Sequence, residues 1–435
     1  MKTSNTQNNS QARQLKQTAP ATPLTASAGI AVLILILLLI GDQAHAQGTV
    51  RAWGMGGANT ALSRGLGAVD YNPANLAFSE GTSVGLAAAA LDVKNNAISL
   101  DRYNEITGSH LDHAAKTALM SDIPEDGFRL DADARASVLG VQTGNFAFSF
   151  NATGSGRGNL DKDYFDLVLF GNQLGKTVDF SNTWGEGYAV GSATVSYGQI
   201  VMDNELGRLS VGLNARYLQG IYEMHVEEAY GSLSTSMTEI SGEAYVSTLS
   251  SDGGQGYGVD LGVGWQTPGG WTLGLALDNV FTRINWDGNV EINEFRVTAS
   301  DINILNEDLD ASVADNDTTF AGLAYQTELP RKLRLGATRQ VGAMAVAVDY
   351  VQGFDDRGTT SKTPQFNAGF ELWSAGNVQP RFGATTGGTI GSGVSAGLGL
   401  RLGPWNIDLA AVSRGGLNPN QTKGVGFAAG STLIF

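Results

Sequence analysis

The residues with chemistry to offer are few and poorly placed for it. His110-Leu111-Asp112-His113 sets two imidazoles at i, i+3 beside a carboxylate, the outline of a metal pair, but it lacks an E-x-x-H partner motif or a third fixed ligand. The solvated start of a helix explains the same four residues and is the preferred reading. "GQGYGVDLGVG", beginning at Gly254, has the glycine density of a nucleotide loop, yet it lies in an alternating strand and opens no helix. His225 is a lone imidazole with no nucleophile assigned to it. Cysteine is absent from all 435 residues, which removes disulfides, thiolate metal sites and thiol nucleophiles. No catalytic residue, metal site or cofactor is assigned, and the chain does not read as an enzyme.

Isolated charges inside otherwise small or apolar runs are more informative: Asp260, Asp278, Lys332, Arg334, Asp349, Glu371, Arg381, Arg401 and Asp408. The elements that carry them alternate with period two. In 254–266 the odd positions Tyr257, Val259, Leu261, Val263 and Trp265 oppose Gly256, Gly258, Asp260, Gly262 and Gly264, which is a strand with one apolar face. A "TPGG" turn follows, and the pattern returns in Trp271, Leu273, Leu275 and Leu277, which predicts a hairpin. Similar runs cover 209–217, 333–337, 344–350, 366–372, 394–402, 405–411 and 425–435.

The second face decides the architecture. A water-facing side would carry Lys, Glu and Thr; here it is mostly Gly, Ala and Ser with single charges, as a crowded interior requires. Trp265, Trp271, Trp373 and Trp405 stand beside predicted turns, where a membrane barrel carries its aromatic girdles. The last strand ends on Phe435 with Leu433 and Phe427 on the same face, which resembles the assembly signal read by the outer-membrane assembly machinery. The chain is therefore read as all-β: a transmembrane antiparallel up-and-down β-barrel of about 14 strands, with 12 to 16 compatible. A secreted sandwich is the competing architecture. The luminal charges either pair across strands into a ladder that stiffens the interior, or form a polar lining that anchors a plug or guides a solute.

The front of the chain sets the compartment. Residues 1–29 carry Lys2, Arg13 and Lys16 and no acid, the apolar block Ile30 to Ile40 follows, and Ala44-His45-Ala46 closes the segment. This is the pattern of a signal peptide over 1–46; a membrane anchor is the alternative, but the apolar block reaches only about half of a hydrocarbon core roughly 30 Å thick. The whole chain has a formal net charge of −15, and residues 1–46 add three bases to it against Asp42 alone. Such acidity, without a basic patch, excludes nucleic acid as a partner.

Three inserts interrupt the alternation. In 103–126, Ser109 to Asp112 has capping-box spacing, with Leu111, Ala115, Ala118 and Leu119 on one face of a short helix. In 161–175, acids precede an apolar run that Gly171 and Gly175 would end. Residues 285–318 are acidic, rich in Asn and Asp, and read as a long loop. Long loops at one end and tight turns at the other are expected of such a barrel.

"WGMGGANTALSRGLGAVDYNPANLAF", 53–78, fits neither strand nor helix. With the alternating strands after it, it resembles the amino-terminal segment of the outer-membrane long-chain fatty-acid channel (FadL-like) superfamily, in which a Gly-rich run leads to Asn-Pro-Ala. Asn72, Pro73 and Ala74 match that tripeptide, while Asn75-Leu76 stands where relatives often have Gly-Leu. "YNEITGSHLDHAAKTALMSDIPEDG", "FDLVLFGNQLG", "GYGVDLGVGW" and "LPRKLRLGA" look like one uncharacterised branch of it. The resemblance implies a hatch, 47–80, with Gly54, Gly56, Gly57, Asn72, Pro73 and Ala74 as its markers, inside a barrel of 81–435. Small residues let backbone pack closely in a lumen, and Pro73 stiffens a segment that needs no ladder hydrogen bond. An extension that covers a strand edge is the plainer alternative.

The resemblance further implies an outer-membrane protein of a diderm bacterium, in contact with membrane lipid, serving passive uptake of hydrophobic small molecules. Tyr164, Phe165 and Phe170 would then line an apolar pocket with the hatch. The alternative function is a non-transporting barrel that acts as a docking or scaffold partner in a cell-envelope or secretion complex, through the acidic segment 285–318.

Overall fold

The computed structural model describes residues 47–302, 313–358, 360–372, 377–389 and 391–435. The signal peptide read over 1–46 and Trp373 lie outside the described residues. Nineteen strands form one sheet. They are β1 Thr82–Asn95, β2 Phe128–Thr143, β3 Phe146–Leu160, β4 Thr177–Asp179, β5 Trp184–Asn204, β6 Gly207–Thr235 and β7 Ile240–Ser251. Next come β8 Gly253–Gln266, β9 Trp271–Gly288, β10 Glu291–Ile302, β11 Val313–Ala321, β12 Tyr325–Thr327 and β13 Lys332–Val341. The last six are β14 Met344–Gly353, β15 Gln365–Leu372, β16 Val378–Gly387, β17 Gly393–Leu402, β18 Trp405–Arg414 and β19 Gly424–Ile434.

Fourteen of these close an antiparallel barrel in the order β1-β2-β3-β5-β6-β8-β9-β13-β14-β15-β16-β17-β18-β19, with β19 returning to β1 from Ser83↔Ile434 to Lys94↔Gly424. Closure leaves no edge in the ring. Register brings the apolar residues of the alternating runs together on the outside: Val211↔Val263, Val263↔Leu275, Leu275↔Leu335, Leu335↔Tyr350 and Tyr350↔Phe366 run side by side around the wall. Many outward side chains are well exposed, among them Phe148, Val195, Leu261, Val348, Phe382 and Phe427. A belt this large is far beyond the isolated apolar patches of a water-facing surface. Among the described residues no helix is long and apolar enough to cross a membrane.

The two ends differ as barrel physics requires. Tight turns join β2 to β3, β5 to β6, β8 to β9, β13 to β14 and β17 to β18, and Thr82 and Phe435 meet at the same end through paired backbone hydrogen bonds. Trp265, Trp271 and Trp405 cluster there, half exposed, and the Trp265 indole donates to the Leu206 carbonyl. Helices Leu100–Ile106, His113–Asp122 and Lys162–Phe170 sit in the long connections at the other end. Asp112, not Ser109, caps the second of these, accepting the Ala115 amide at 2.8 Å, while Ser109 bonds back to the Glu105 carbonyl. Gly171, at φ 71°, ends the third, a left-handed conformation that suits a residue without Cβ.

The described part of 285–318 is not a long loop: it holds the end of β9, all of β10 and the first part of β11, and residues 303–312 lie outside the described residues. β6 extends for 29 residues, and its far half pairs with β7, β7 with β10, and β10 with β11, so a sheet continues beyond the barrel. β7 still buries every second residue from Tyr245 to Ser251, but the outer strands have no buried face to impose alternation; β11, "VADNDTTFA", is exposed almost throughout. The backbone ladder holds it without an apolar side to give it away.

Candidate functional site

Residues 47–80 lie in the lumen. A helix, Gln47–Gly54, leads through glycines to a second, Gly67–Tyr71, and a 3-10 turn, Pro73–Phe78. Asn72 caps that turn, its carbonyl oxygen accepting the Ala74 amide at 3.1 Å, and Pro73 occupies the first position, where no amide is needed. Gly56 and Gly57 hold φ of +68° and +96°, which bulkier residues adopt only under strain. Val50, Met55, Ala58, Ala68, Asn72, Ala74 and Leu76 are fully buried.

The glycines of the barrel strands explain how this fits. A Cβ on Gly383 would stand 2.1 Å from the Gly56 nitrogen, on Gly369 2.3 Å from the Met55 oxygen, and on Gly212 2.2 Å from the Ala74 nitrogen. A Cβ on Gly54 would in turn meet Gly397 Cα at 3.0 Å. Backbone therefore packs on backbone, and the luminal glycine rows are the imprint of the segment they hold.

Polar anchors fix it in place. Asp349 Oδ2 accepts from the Asn59 amide at 2.9 Å and the Thr60 amide at 2.8 Å. Arg51 donates twice to Glu371, at 2.9 and 2.8 Å, and Arg381 joins Glu371 at 2.6 Å and Asp408 at 2.5 Å, giving a buried chain from hatch to β18. Asn72 Nδ2 donates to the Val263 carbonyl and Asn214 Nδ2 to the Val69 carbonyl, both at 2.9 Å. Ser395 Oγ takes the Gly56 amide at 2.8 Å.

The remaining luminal charges divide into two groups. Asp260 accepts from Arg216, Asn214 and the Asn279 amide. Asp278 takes Arg334 at 2.8 Å and reaches Lys332 only at 4.0 Å, and Arg334 lies over the Tyr71 ring. Arg401 does not join them: it has the inward register but sits exposed at the short-turn rim, near Asn406.

A second luminal cluster escaped the sequence reading. Arg414 pairs with Asp92 at 2.5 Å and covers the Trp53 ring, while Lys94 lies 3.5 to 3.9 Å from Asp92, Asp131 and Asp133. Its signal was present: Asp92 and Lys94, then Asp131, Asp133 and Arg135, are charges at period two in "LDVKN" and "LDADAR".

Between hatch and outer mouth lies a cavity of about 140 Å³. Trp53, Gly56, Gly57 and Tyr71 form its floor, and Thr360, Ser361 and Thr363 its roof. The roof belongs to residues 354–358 and 360–364, the first of which reach across the lumen: Arg357 lies 3.5 Å from Glu186 and 3.7 Å from Glu223, and the Gly358 amide donates to Glu186 at 3.1 Å. β5 and β6 stand well round the ring from β14 and β15, so these contacts span the opening.

Tyr164, Phe165 and Phe170 do not line that cavity. Phe165 packs on Phe128, Tyr164 on Phe180, and Phe170 edge-on against His113. The Lys116 ammonium donates to the Leu169 carbonyl at 2.6 Å and ties their helix to its neighbour over the outer end. The aromatic run is consumed by packing on the start of β2, on the residue after β4 and on the neighbouring helix, and it does not reach the cavity walls. Among the described residues no group of three or more His, Asp or Glu is arranged to hold a metal ion.

Comparison with known proteins fits this architecture. A family model described as a family of unknown function, DUF5723, matches residues 73–413. The toluene transporter TbuX of Ralstonia pickettii superposes with a TM-score of 0.50 at 15% identity, over 89% of this chain and 98% of its own. The toluene transporter TodX of Pseudomonas putida gives 0.52 at 13% identity, over 89% and 98%. No curated protein matches the chain. The fold is that of the FadL-like hydrocarbon channels.

Proposed function

The chain belongs to the DUF5723 family, and we propose that it is an outer-membrane channel for passive entry of small hydrophobic molecules, closed at rest by residues 47–80. The observation that carries this reading is the hatch itself: a segment seated on luminal glycines and held by Asp349, Glu371 and Ser395 occupies a lumen that a merely structural barrel would fill with its own side chains. The outward apolar belt supports a membrane location. The likeness to two toluene transporters concerns fold and raises the prior for their kind of solute.

Single-channel conductance in planar bilayers tests it, with the chain lacking 1–46 compared with a variant that also lacks 48–80. Heat-modifiable gel migration first establishes that both are folded. A silent intact form and a conducting truncation are expected, followed by toluene entry into liposomes bearing the protein. Silence of both overturns transport and favours docking, for which the extension of β7, β10 and β11 is the specific observation: β11 pairs with β10 and has no strand on its far edge among the described residues.

A further inference from the structure

We propose that the cavity above the hatch binds a small organic anion, its carboxylate held between Arg135 and Lys332; this rests on the channel reading and specifies its solute. The first observation is the sign of the lining. Five cations, Lys94, Arg135, Lys332, Arg334 and Arg414, face the cavity with only Asp92 and Asp133, in a chain whose formal net charge is −15. Asp131 and Asp278, the luminal carboxylates that offset some of these cations, do not line the cavity.

The second observation is which cations remain unspent. Arg414, Arg334 and Lys94 have carboxylates of their own within 2.5 to 3.5 Å. Lys332 shares Asp278 with Arg334 and comes no nearer than 4.0 Å. Arg135 has neither a hydrogen-bond acceptor nor a carboxylate within ion-pair distance among the described residues; Asp70 of the hatch acts on it only at longer range. A guanidinium with its donor fork free, half-buried and facing the cavity, is suited to a planar carboxylate, which it can take by two parallel N–H···O bonds. β2, which carries Arg135, and β13, which carries Lys332, lie on opposite sides of the ring, so the two cations reach a ligand from two walls.

Size and the remaining surface restrict the ligand. About 140 Å³ admits a single small ring or a short chain. The Trp53 and Tyr71 rings on the floor offer faces for the apolar body, with hydroxyls of Thr360, Ser361 and Thr363 above. The class is therefore a small aromatic or short aliphatic carboxylate.

Benzoate and toluene, which share a ring and differ in charge, are the probes. Calorimetry in detergent on the folded chain, and on Arg135→Gln and Lys332→Gln, is expected to show benzoate binding that weakens about tenfold or more in each variant, while toluene binding is unchanged. Liposome entry of toluene is measured in parallel. Benzoate affinity that ignores both substitutions, or no benzoate binding by the parent chain, overturns the anion site even where toluene enters. Charge-dependent benzoate binding without entry of either probe sustains the site and overturns the channel. Competition by inorganic phosphate as strong as by acetate would place recognition in charge alone and overturn the carboxylate assignment.

Discussion

Asp349 and Thr60 are joined twice through one oxygen: the Thr60 amide and the Thr60 hydroxyl both donate to Asp349 Oδ2, at 2.8 and 2.7 Å. The Asn59 amide donates to the same atom at 2.9 Å, so a single carboxylate on the barrel wall holds the bend of the hatch. Asp349→Ala orphans three buried donors. Hydrogen bonds to a charged acceptor contribute about 1.5 to 3 kcal/mol each, and the loss to the docked hatch should be at least about 3 kcal/mol. Channel openings should become frequent in planar bilayers while heat-modifiable migration is retained. A variant as silent as the parent would show that the hatch is held elsewhere.

Gly383 tests the imprint. A methyl there would collide with the Gly56 amide at 2.1 Å, backbone against backbone, with no flexible side chain to yield. Gly383→Ala should destabilise the intact protein by about 1 to 3 kcal/mol, as overpacking does, yet leave the barrel lacking 48–80 unaffected. The readout is the urea midpoint of folding into lipid for both backgrounds. Equal shifts in the two would mean that Gly383 serves the strand and not the hatch.

How much of this could be read from sequence follows from the range of the interactions. The barrel strands were legible because period two is local: Tyr257 to Trp265 declares an outside and Gly256 to Gly264 an inside without knowledge of any neighbour. β10 and β11 were not legible, since a sheet wet on both faces has no apolar side. The charges on inward positions were visible one strand at a time, but which carboxylate meets which base depends on register across strands, as when Arg381 of β16 reaches both Glu371 of β15 and Asp408 of β18. Arg135 was missed because only the folded ring shows that no acid among the described residues comes within ion-pair distance. The aromatic run at 164–170 misled, since composition cannot tell a pocket lining from a face packed on neighbouring strand and helix ends.

The buried chain that ends in Arg381 gives a third expectation. Arg381 and its partners Glu371 and Asp408 are nearly inaccessible, at 2%, 1% and 6% exposure, so loss of the base leaves Asp408 uncompensated while Glu371 keeps Arg51. Arg381→Met should cost about 3 to 5 kcal/mol of barrel stability, and Arg381→Met with Asp408→Asn should recover part of it. Arg401→Met, at the exposed rim, should change the urea midpoint by less than about 0.5 kcal/mol. Equal effects at positions 381 and 401 would refute a buried network.

The roof of the cavity should loosen in acid. Asp356 accepts the Lys362 amide at 2.8 Å and the Ser361 hydroxyl at 2.9 Å, tying residues 360–364 back to 354–358. The Lys362 amide bond is the largest influence and holds this carboxyl below its ordinary value; burial opposes it, and the Ser361 hydroxyl bond adds to the lowering. A group depressed in the folded state adds order that is complete above the ordinary carboxylate range, about pH 4, and is lost as pH falls through the lowered value. Amide exchange at Lys362, corrected for its intrinsic pH dependence, should therefore be protected at pH 6 and accelerate below about pH 4, and Asp356→Asn should weaken that protection at neutral pH. Because Thr360 and Ser361 roof the cavity, benzoate should leave the Asp356→Asn variant faster than the parent at neutral pH, where the probe keeps its charge. Protection at Lys362 that is unchanged from pH 6 to pH 3 would mean that the roof is held by Arg357 and its two glutamates, Glu186 and Glu223, and not by Asp356.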